Sequence, residues 1–435
     1  MVSKKLKNIF SCAAISVSTL LCAGLLSSCT PPKTNANNDD YLIGEQLAKV
    51  SSMTKADGTG KNIVGVYDET TQKIQIFDLK SNQHINTLDA NPSAVSAKEH
   101  FVLYDDAGNY VVDLTTKGFA IINKNNQSNK NALKLMGKPI SAAFRSDLGY
   151  LVLHDDAGSV GIIKLDAQGN ILKQYLLGSR IDNTLTAPTI AAGDLLDNGN
   201  LVTSLSDGRI AVIDIEQTLN QRKWVYTTKT TGLTKAQWLS RVPNNANQIL
   251  FRISPDSSGA AEHKIYLYDL STEAILDQVS VRGYLEKSSR GSHPHFLISS
   301  SDQKEISLIY PEANQLRSIT QFRHNLSTAK NIVNSHLDLN TNIFSFIEVE
   351  TRSTYPNENL NYNSILEDRN YKRFRLPDML LLNTFKIPNG TTMAMSEDFI
   401  LALFPHKLGY AISYATDESS QHEFKFFNRG NLKKP

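Results

Sequence analysis

FVLYDDAGNYVVDL (residues 101–114) returns about fifty residues later as YLVLHDDAGSVGIIKLD (residues 150–166). Both copies place the turn sequence Asp-Asp-Ala-Gly between two apolar runs. A third copy, LVTSLSDGRIAVIDI (residues 201–215), keeps the Asp-Gly pair, so that Gly108, Gly158 and Gly208 are evenly spaced. An Asp-Gly turn between apolar runs predicts a β-hairpin, because both residues tolerate the backbone conformations that such turns require.

The hairpin unit can be followed along the body of the chain. Its copies begin near Ile63, Phe101, Tyr150, Leu201, Gln248, His295, Ile343 and Phe399. Most copies have a further short apolar run on each side, so about four strands repeat about eight times. Four-stranded units repeated radially are typical of a β-propeller, in which each sheet buries its faces against its neighbours. The sequence therefore predicts an all-β propeller over residues 46–435, with about eight four-stranded blades, although seven are possible.

The first 28 residues have the layout of a secretory signal. Lys4, Lys5 and Lys7 precede an apolar run, and Ser27 and Ser28 then precede Cys29. The alternative is an uncleaved spanning helix, because the apolar run is close to the roughly 18 residues that indicate one.

The stretch Leu26-Ser27-Ser28-Cys29 resembles the bacterial lipobox. The resemblance implies that residues 1–28 are removed and that Cys29 becomes the lipidated first residue, carrying acyl chains such as palmitate. In that family Thr30, in place of Asp, implies the outer membrane, where we expect the periplasmic side rather than the cell surface. Residues 29–45 then form the lipid anchor and a polar tether. The alternative for Cys29 is the unmodified thiol of an ordinary exported protein.

Removal of the signal leaves a body with balanced charge. The intact chain has 45 basic and 43 acidic residues, and the signal contains three of the basic residues and none of the acidic ones. A body this close to neutrality has no general attraction for nucleic acid. No cysteine follows Cys29, so the core must hold by packing alone in an oxidising compartment.

One insertion interrupts the repeat. The second strand expected after the apolar run at residues 343–349 is delayed, which predicts a long inserted loop at residues 348–378. Its aromatic and cationic side chains are of the kinds favoured as interface anchors. They form a candidate partner-binding set: Tyr355, Tyr362, Arg369, Tyr371, Lys372, Arg373, Phe374 and Arg375. The alternative is a solvated insertion without a binding role.

The sequence contains no motif that indicates a metal, a cofactor or catalysis. The acidic turns lack the alternating acids of a calcium loop, so Asp105, Asp106, Asp155 and Asp156 are interpreted as turn residues. His293 and His295 would share one side of a strand, but two ligands fall short of a zinc site. The serine-hydrolase turn G-x-S-x-G is absent. We therefore expect no enzyme activity, no metal and no cofactor.

A lipoprotein signal, a short tether and about eight four-stranded blades resemble the BamB-type subunit of the outer-membrane protein assembly machinery. The closest stretch is residues 207–214 followed by Trp224, which is similar to the repeat of quinoprotein-type propellers. Trp224 is expected to pack one blade against another. The resemblance implies a non-enzymatic scaffold that is held at the membrane by its lipid and binds other envelope proteins. The alternative is a ligand-binding or catalytic propeller that uses its central funnel.

Overall fold

In the residues that the computed structural model describes, the chain is built almost entirely of antiparallel strands with one short helix. The residues described are 63–68, 71–78, 83–91, 101–105, 107–115, 117–129, 131–182, 184–254, 260–290, 293–302, 304–322, 330–351, 367–387, 392–395, 399–403, 410–414 and 423–427. Cys29, the signal, the tether and the predicted site residues Tyr355 and Tyr362 lie outside these ranges.

The first two sheets each contain three strands within the described residues. Sheet I consists of β1 (Ile63–Asp68), β2 (Lys73–Asp78) and β3 (Gln83–Asp89). Sheet II consists of β4 (Phe101–Tyr104), β5 (Tyr110–Thr115) and β6 (Gly118–Asn123).

The next two sheets have four strands each, paired in chain order. Sheet III consists of β7 (Pro139–Arg145), β8 (Tyr150–Asp155), β9 (Ser159–Leu165) and β10 (Ile171–Gly178). Sheet IV consists of β11 (Ile190–Leu195), β12 (Leu201–Leu205), β13 (Ile210–Ile213) and β14 (Tyr226–Lys229). Helix α1 (Ile215–Gln221) lies between β13 and β14.

Sheet V has seven strands and divides at its middle strand. Its strands are β15 (Trp238–Arg241), β16 (Gln248–Ile253), β17 (Ala261–Asp269), β18 (Ala274–Ser289), β19 (His295–Ser299), β20 (Glu305–Glu312) and β21 (Gln315–Phe322). The first part of β18 pairs with β17, up to Gly283, and the second part pairs with β19. A side chain at Gly283 would meet the carbonyl oxygen of Ser299 at 2.0 Å, so the crossing between the two halves requires glycine.

The last two sheets again have four strands each. Sheet VI consists of β22 (Lys330–Asp338), β23 (Ile343–Thr351), β24 (Glu367–Arg375) and β25 (Leu380–Ile387). Sheet VII consists of β26 (Thr392–Met395), β27 (Phe399–Leu403), β28 (Tyr410–Tyr414) and β29 (Glu423–Phe427).

The core lies between the sheets. Each of six buried clusters draws its side chains from neighbouring units: sheets I and II, II and III, III and IV, IV and V, the two halves of V, and V and VI. Within sheet V, for example, Trp238 and Leu250 of the first half pack with Phe296 and Ile309 of the second. Sheets that bury both faces against neighbours in this way form a β-propeller, which confirms the predicted fold class.

The ring of inner strands closes between the two ends of the chain. Strand β11 lies against both β7 and β15, and β18 lies against β22. Strand β1 lies against β4 on one side and against β26 of the last sheet on the other. The first and last sheets are therefore neighbours, as the closure of a propeller requires. Because sheet V joins two packed halves through one strand, the blade count stays a prediction.

Most predicted hairpins are confirmed. The strands around the three Asp-Gly turns pair as β4 with β5, β8 with β9 and β12 with β13. The predicted pairing of residues 343–349 with the apolar run near residue 380 is wrong. Strand β23 pairs instead with β24, which in turn pairs with β25. The predicted loop at 348–378 was therefore drawn too long, because residues 367–375 are a strand.

An arginine and aspartate cluster joins the inner strands of three sheets. Asp197, in the turn after β11, accepts hydrogen bonds from Nη1 of Arg145 at 2.8 Å and from Nη1 of Arg241 at 2.5 Å. Arg145 also forms a two-pronged ion pair with Asp147. Both arginines are buried, so a single carboxylate links the ends of β7 and β15 across sheet IV.

Candidate functional site

A cleft opens at the outer rim between sheets III and IV. Its volume is about 740 Å³, and it is lined by the end of β10, the loop 179–189 and residues 222–226. This volume is within the range of sites that bind a small molecule or a short chain segment. We call it the rim cleft.

The described residues of the loop 179–189 are held in place by backbone hydrogen bonds among themselves and to the neighbouring residues Gly158 and Ile190. Ser179 N donates to Gly158 O at 2.8 Å, and Ile190 N donates to Ser179 O at 2.8 Å. Near the tip, Ala187 N donates to Thr184 O at 3.1 Å. The loop therefore presents a fixed surface, which lowers the entropy that binding would cost.

Arg180 stabilises the same loop through hydrogen bonds from its side chain to the loop backbone. Its Nη1 donates to the carbonyl oxygens of Leu185 at 2.5 Å and of Ala187 at 3.1 Å. The side chain of Leu185 consequently stands outward and is 87% exposed, the largest exposure among the exposed large hydrophobic side chains of the described residues. A single exposed leucine is ordinary on a protein surface, but Leu185 adjoins the further apolar side chains and the cations that line the cleft.

Asp182 is the one acidic side chain that lines the rim cleft. Its Oδ1 accepts hydrogen bonds from the hydroxyl group of Thr184 at 2.6 Å and from Thr184 N at 2.8 Å. The hydroxyl contact, followed by the backbone contact, holds the pKa of Asp182 below its ordinary value. Asp182 therefore stays ionised while it shapes the loop tip.

Helix α1 ends at the residues that line the opposite wall, Arg222 and Lys223. Asp214 caps its N-terminus by accepting a hydrogen bond from Gln217 N at 2.8 Å, and Arg222 ends it in the left-handed conformation with φ of 56°. Glu216 fixes the helix against sheet III through Lys164 at 2.6 Å and Lys173 at 2.9 Å. Hydrogen bonds from these two lysines lower the pKa of Glu216 to about 2.

Trp224 forms the floor where the two sheets meet. It is 9% exposed, and its Nε1 donates to the carbonyl oxygen of Gly178 at 3.0 Å. It also belongs to the buried cluster shared by sheets III and IV. The predicted role of Trp224 in packing one sheet against the next is confirmed, and the structure adds that its ring borders an open cleft.

The charge of the rim cleft is unbalanced. Arg180, Arg222 and Lys223 line it and are exposed, and none of them forms an ion pair with a carboxylate of the described residues. The guanidinium of Arg222 lies 6.0 Å from the centre of the Tyr175 ring, a cation–π contact that holds it at the wall. Cations beside exposed apolar surface can bind an acidic group that has an apolar neighbour.

Among its described residues, the lining of the rim cleft has Asp182 as its one carboxylate and contains no histidine, cysteine or glutamate. In the described part of the chain, no three His, Cys, Asp or Glu side chains are grouped as a metal would require.

The predicted partner-binding set is divided by the structure. Six of its members lie on or next to β24, within sheet VI, and the other two lie outside the described residues. Lys372 forms an ion pair with Glu348 of β23 at 2.9 Å, where the glutamate side chain is 1% exposed. Arg375 pairs with Asp378 at 3.0 Å.

Two further members of the set are buried. Phe374 is 6% exposed and packs with Phe344 and Phe346 in the cluster between sheets V and VI. Arg373 is 5% exposed. Their placement as exposed loop residues was wrong, because a strand with alternating cations was mistaken for a loop. Arg369 and Tyr371 lie on the same strand, opposite Val349 and Ile347.

The two histidines singled out in the sequence lie side by side at the entry to β19. His293 Nδ1 is 3.0 Å from Leu337 O, and His295 Nε2 is 2.9 Å from the hydroxyl group of Ser335. Both contacts cross to β22 of sheet VI. The predicted common side is therefore confirmed, and the pair joins two neighbouring sheets.

The acidic turns have the expected turn chemistry. Asp105 Oδ2 accepts hydrogen bonds from Ala107 N at 3.2 Å and Asn109 N at 3.0 Å. Asp155 accepts from Ser159 N at 2.6 Å and from Gly137 N at 2.8 Å. The carboxylates of Asp105 and Asp155 are used by backbone donors, which confirms their interpretation as turn residues, whereas Asp106 lies outside the described residues.

No family model and no curated protein matches this chain. Solved structures that match it include one titled the crystal structure of the mitotic checkpoint complex, at 12% identity and a TM-score of 0.42, covering 66% of this chain and 81% of that one. The structure of U3-55K matches at 12% identity and a TM-score of 0.42, covering 66% and 84%. The WD40 repeats of RRP9 match at 13% identity and a TM-score of 0.42, covering 66% and 83%. The likeness is one of fold.

Sequence reasoning noticed part of the rim cleft and missed the rest. Trp224 was expected to pack one blade against another, and it also borders the cleft. Leu185, Arg222 and Lys223 were missed, because nothing local marks them as neighbours of β10. One signal was available: Asp214 followed three residues later by Gln217 indicates a helix start and thus a wall between β13 and β14.

Proposed function

We propose that this chain is a non-enzymatic binding scaffold of the bacterial cell envelope, anchored to the outer membrane by lipid on Cys29. In this proposal the propeller is a rigid body, and the rim cleft holds a partner protein. The observation that carries the proposal is the ordered loop 179–189, which exposes Leu185 beside three cations that have no carboxylate partner among the described residues.

The anchor is supported by the sequence alone. Residues 1–28 have the layout of a lipoprotein signal, and two or more acyl chains on one residue give stable attachment. None of the described helices is long and apolar enough to cross a membrane. The resemblance to the BamB-type subunit supports a role in outer-membrane protein assembly, with the body on the periplasmic side.

Recovery of partners from the envelope tests the scaffold. The full chain, with a C-terminal tag, is cross-linked in cells, extracted with detergent and purified. We expect other envelope proteins to be recovered in fixed proportion to the chain. Recovery of none, together with a small molecule that raises the melting temperature, would contradict the scaffold and favour the alternative of a ligand-binding propeller.

The anchor has its own test. Intact-mass measurement of the purified chain is expected to show a mature N-terminus at Cys29 with the added mass of acyl chains. The Cys29→Ser variant is expected to lose the added mass and to leave the membrane fraction. An uncleaved Met1 or an unmodified Cys29 would refute the anchor.

A further inference from the structure

We infer that the rim cleft recognises a short peptide segment in which an acidic side chain stands next to a large apolar one. The inference rests on the proposed scaffold function and gives the chemistry of the partner's contact. It is argued from charge, from exposed apolar surface and from the rigidity of the loop.

The cations of the cleft differ from other cations of sheets III and IV in having no carboxylate partner among the described residues. Lys164 and Lys173 share Glu216, and Lys229 pairs with Glu273 at 3.0 Å. These three lysines are thus neutralised in place. Arg180, Arg222 and Lys223 depart from that pattern, which leaves the cleft a local excess of positive charge that a carboxylate would complement.

Two of the three cations are held in place before anything binds. Nη1 of Arg180 donates hydrogen bonds to two loop carbonyls. Its Nε and Nη2 have no partner in the part of the chain that the structure describes. Arg222 is placed by its contact with Tyr175. A bound carboxylate would therefore meet guanidinium donors that need little further ordering.

The apolar part of the cleft lies beside these cations. Leu185 stands at the open rim, and Leu177, Trp224 and Tyr226 continue the surface inward. Because Arg180 donates to the carbonyl of Leu185, the cation and the leucine are fixed to the same loop. An acid and an apolar side chain close together in sequence would engage both.

A run of phosphates fits the cleft less well than a peptide does. Asp182 lines the same rim, is fully ionised and would repel successive phosphates of a nucleic acid. Exposed apolar side chains contribute nothing to the binding of nucleic-acid phosphates. They can pack against an apolar side chain of a protein partner. The occupant of the rim cleft is accordingly a peptide.

The test uses a display library of random twelve-residue peptides, selected on the immobilised full chain. We expect enrichment of sequences with Asp or Glu within a few residues of Leu, Ile or Phe. An enriched peptide is then synthesised with a fluorescent label, and its dissociation constant is measured by anisotropy against the chain and its variants.

The variants separate recognition from folding. Arg222→Glu combined with Lys223→Glu leaves the loop contacts of Arg180 intact and is expected to weaken peptide binding about tenfold, which corresponds to about 1.4 kcal/mol. Leu185→Ser alters a fully outward side chain and is expected to weaken it severalfold. Lys304→Glu is the matched control, because its side chain is 74% exposed and lies outside the cleft.

Three results would overturn the inference. They are selection of no acidic and apolar motif, equal binding by the double variant and the Lys304→Glu control, and sedimentation with phosphatidylglycerol vesicles that depends on Arg222 and Lys223. None of these decides whether the chain is a lipid-anchored envelope scaffold, because envelope partners recovered through a different surface would still support that part of the proposed function.

Discussion

Single residues decide where this chain turns back on itself. Gly208, in the third Asp-Gly turn, has φ of 90°, and a side chain there would meet the carbonyl oxygen of Leu233 at 2.1 Å. Gly232 also has positive φ, 71°, but a side chain there would meet nothing within 4 Å. Substitution of Gly232 would therefore cost only the unfavourable backbone conformation, whereas substitution of Gly208 would add a steric clash.

The first prediction uses this pair. Gly232→Ala is expected to lower the free energy of unfolding by about 1 to 2 kcal/mol through its backbone alone. Gly208→Ala is expected to cost a further 1 to 3 kcal/mol or so, because the backbone at Leu233 must move. Urea unfolding followed by tryptophan fluorescence measures both. Equal midpoints for the two variants would contradict the contact at Gly208.

The second prediction concerns a buried histidine. His263 Nε2 is 3.1 Å from Gly283 O, and its Nδ1 is 3.3 Å from Nη1 of Arg252. Burial, and then the positive charge of Arg252, lower the pKa of His263 to about 4. The unfolded chain, with an ordinary pKa near 6.5, therefore binds more protons than the folded chain between about pH 4 and pH 6.5.

The direction in which the free energy of unfolding changes with pH follows from the linkage between protonation and folding. Stability is expected to fall as the pH is lowered from 6.5 towards 4, and the contribution of His263 to this slope ends once the folded state is protonated as well. His263→Gln keeps a donor for Gly283 and removes the titration, so its unfolding free energy should depend less steeply on pH in this window. An unchanged slope would show that His263 is not the group responsible.

At the scale of elements, one carboxylate links two inner strands that do not pair. Asp197 lies in the turn between β11 and β12 and binds Arg145 of β7 and Arg241 of β15. Each arginine side chain is at most 3% exposed. Removal of the shared partner would leave two buried guanidinium groups with reduced compensation.

The third prediction is that Asp197→Ala lowers the free energy of unfolding by about 3 kcal/mol, because it breaks two buried ion pairs. Glu312→Ala is the control, since Glu312 and Arg317 are 43% and 55% exposed and such pairs contribute about 0 to 1 kcal/mol. Thermal unfolding is the measurement. A shift no larger for Asp197→Ala than for Glu312→Ala would contradict the link.

Elements also show how far the sequence could predict the structure. Strands buried on both faces, such as the one that contains residues 151–153, include continuous apolar runs and could be recognised. Strand β24 could not, because Lys372 is neutralised by Glu348 only after the sheet has formed. The rim cleft depends on the contact of Gly178 with Trp224, 46 residues apart, and no local pattern encodes that contact.

At the scale of the whole molecule, the ring turns a repeated hairpin into a rigid body with fixed rim surfaces. Core clusters run between successive sheets from I to VI, and β26 lies against β1. The spacing of the Asp-Gly turns was enough to predict this fold. The proposed function depends on the rim cleft between sheets III and IV.

Site-specific photo-cross-linking in cells tests the central claim most directly. A photoreactive amino acid replaces Leu185 at the rim cleft or, as a control, Leu381 on β25, which is 42% exposed. The account predicts a cross-linked envelope protein from position 185 only, and much less of it when Arg222→Glu and Lys223→Glu are also present. No product from position 185, or the same product from position 381, would contradict the claim that the rim cleft holds the partner.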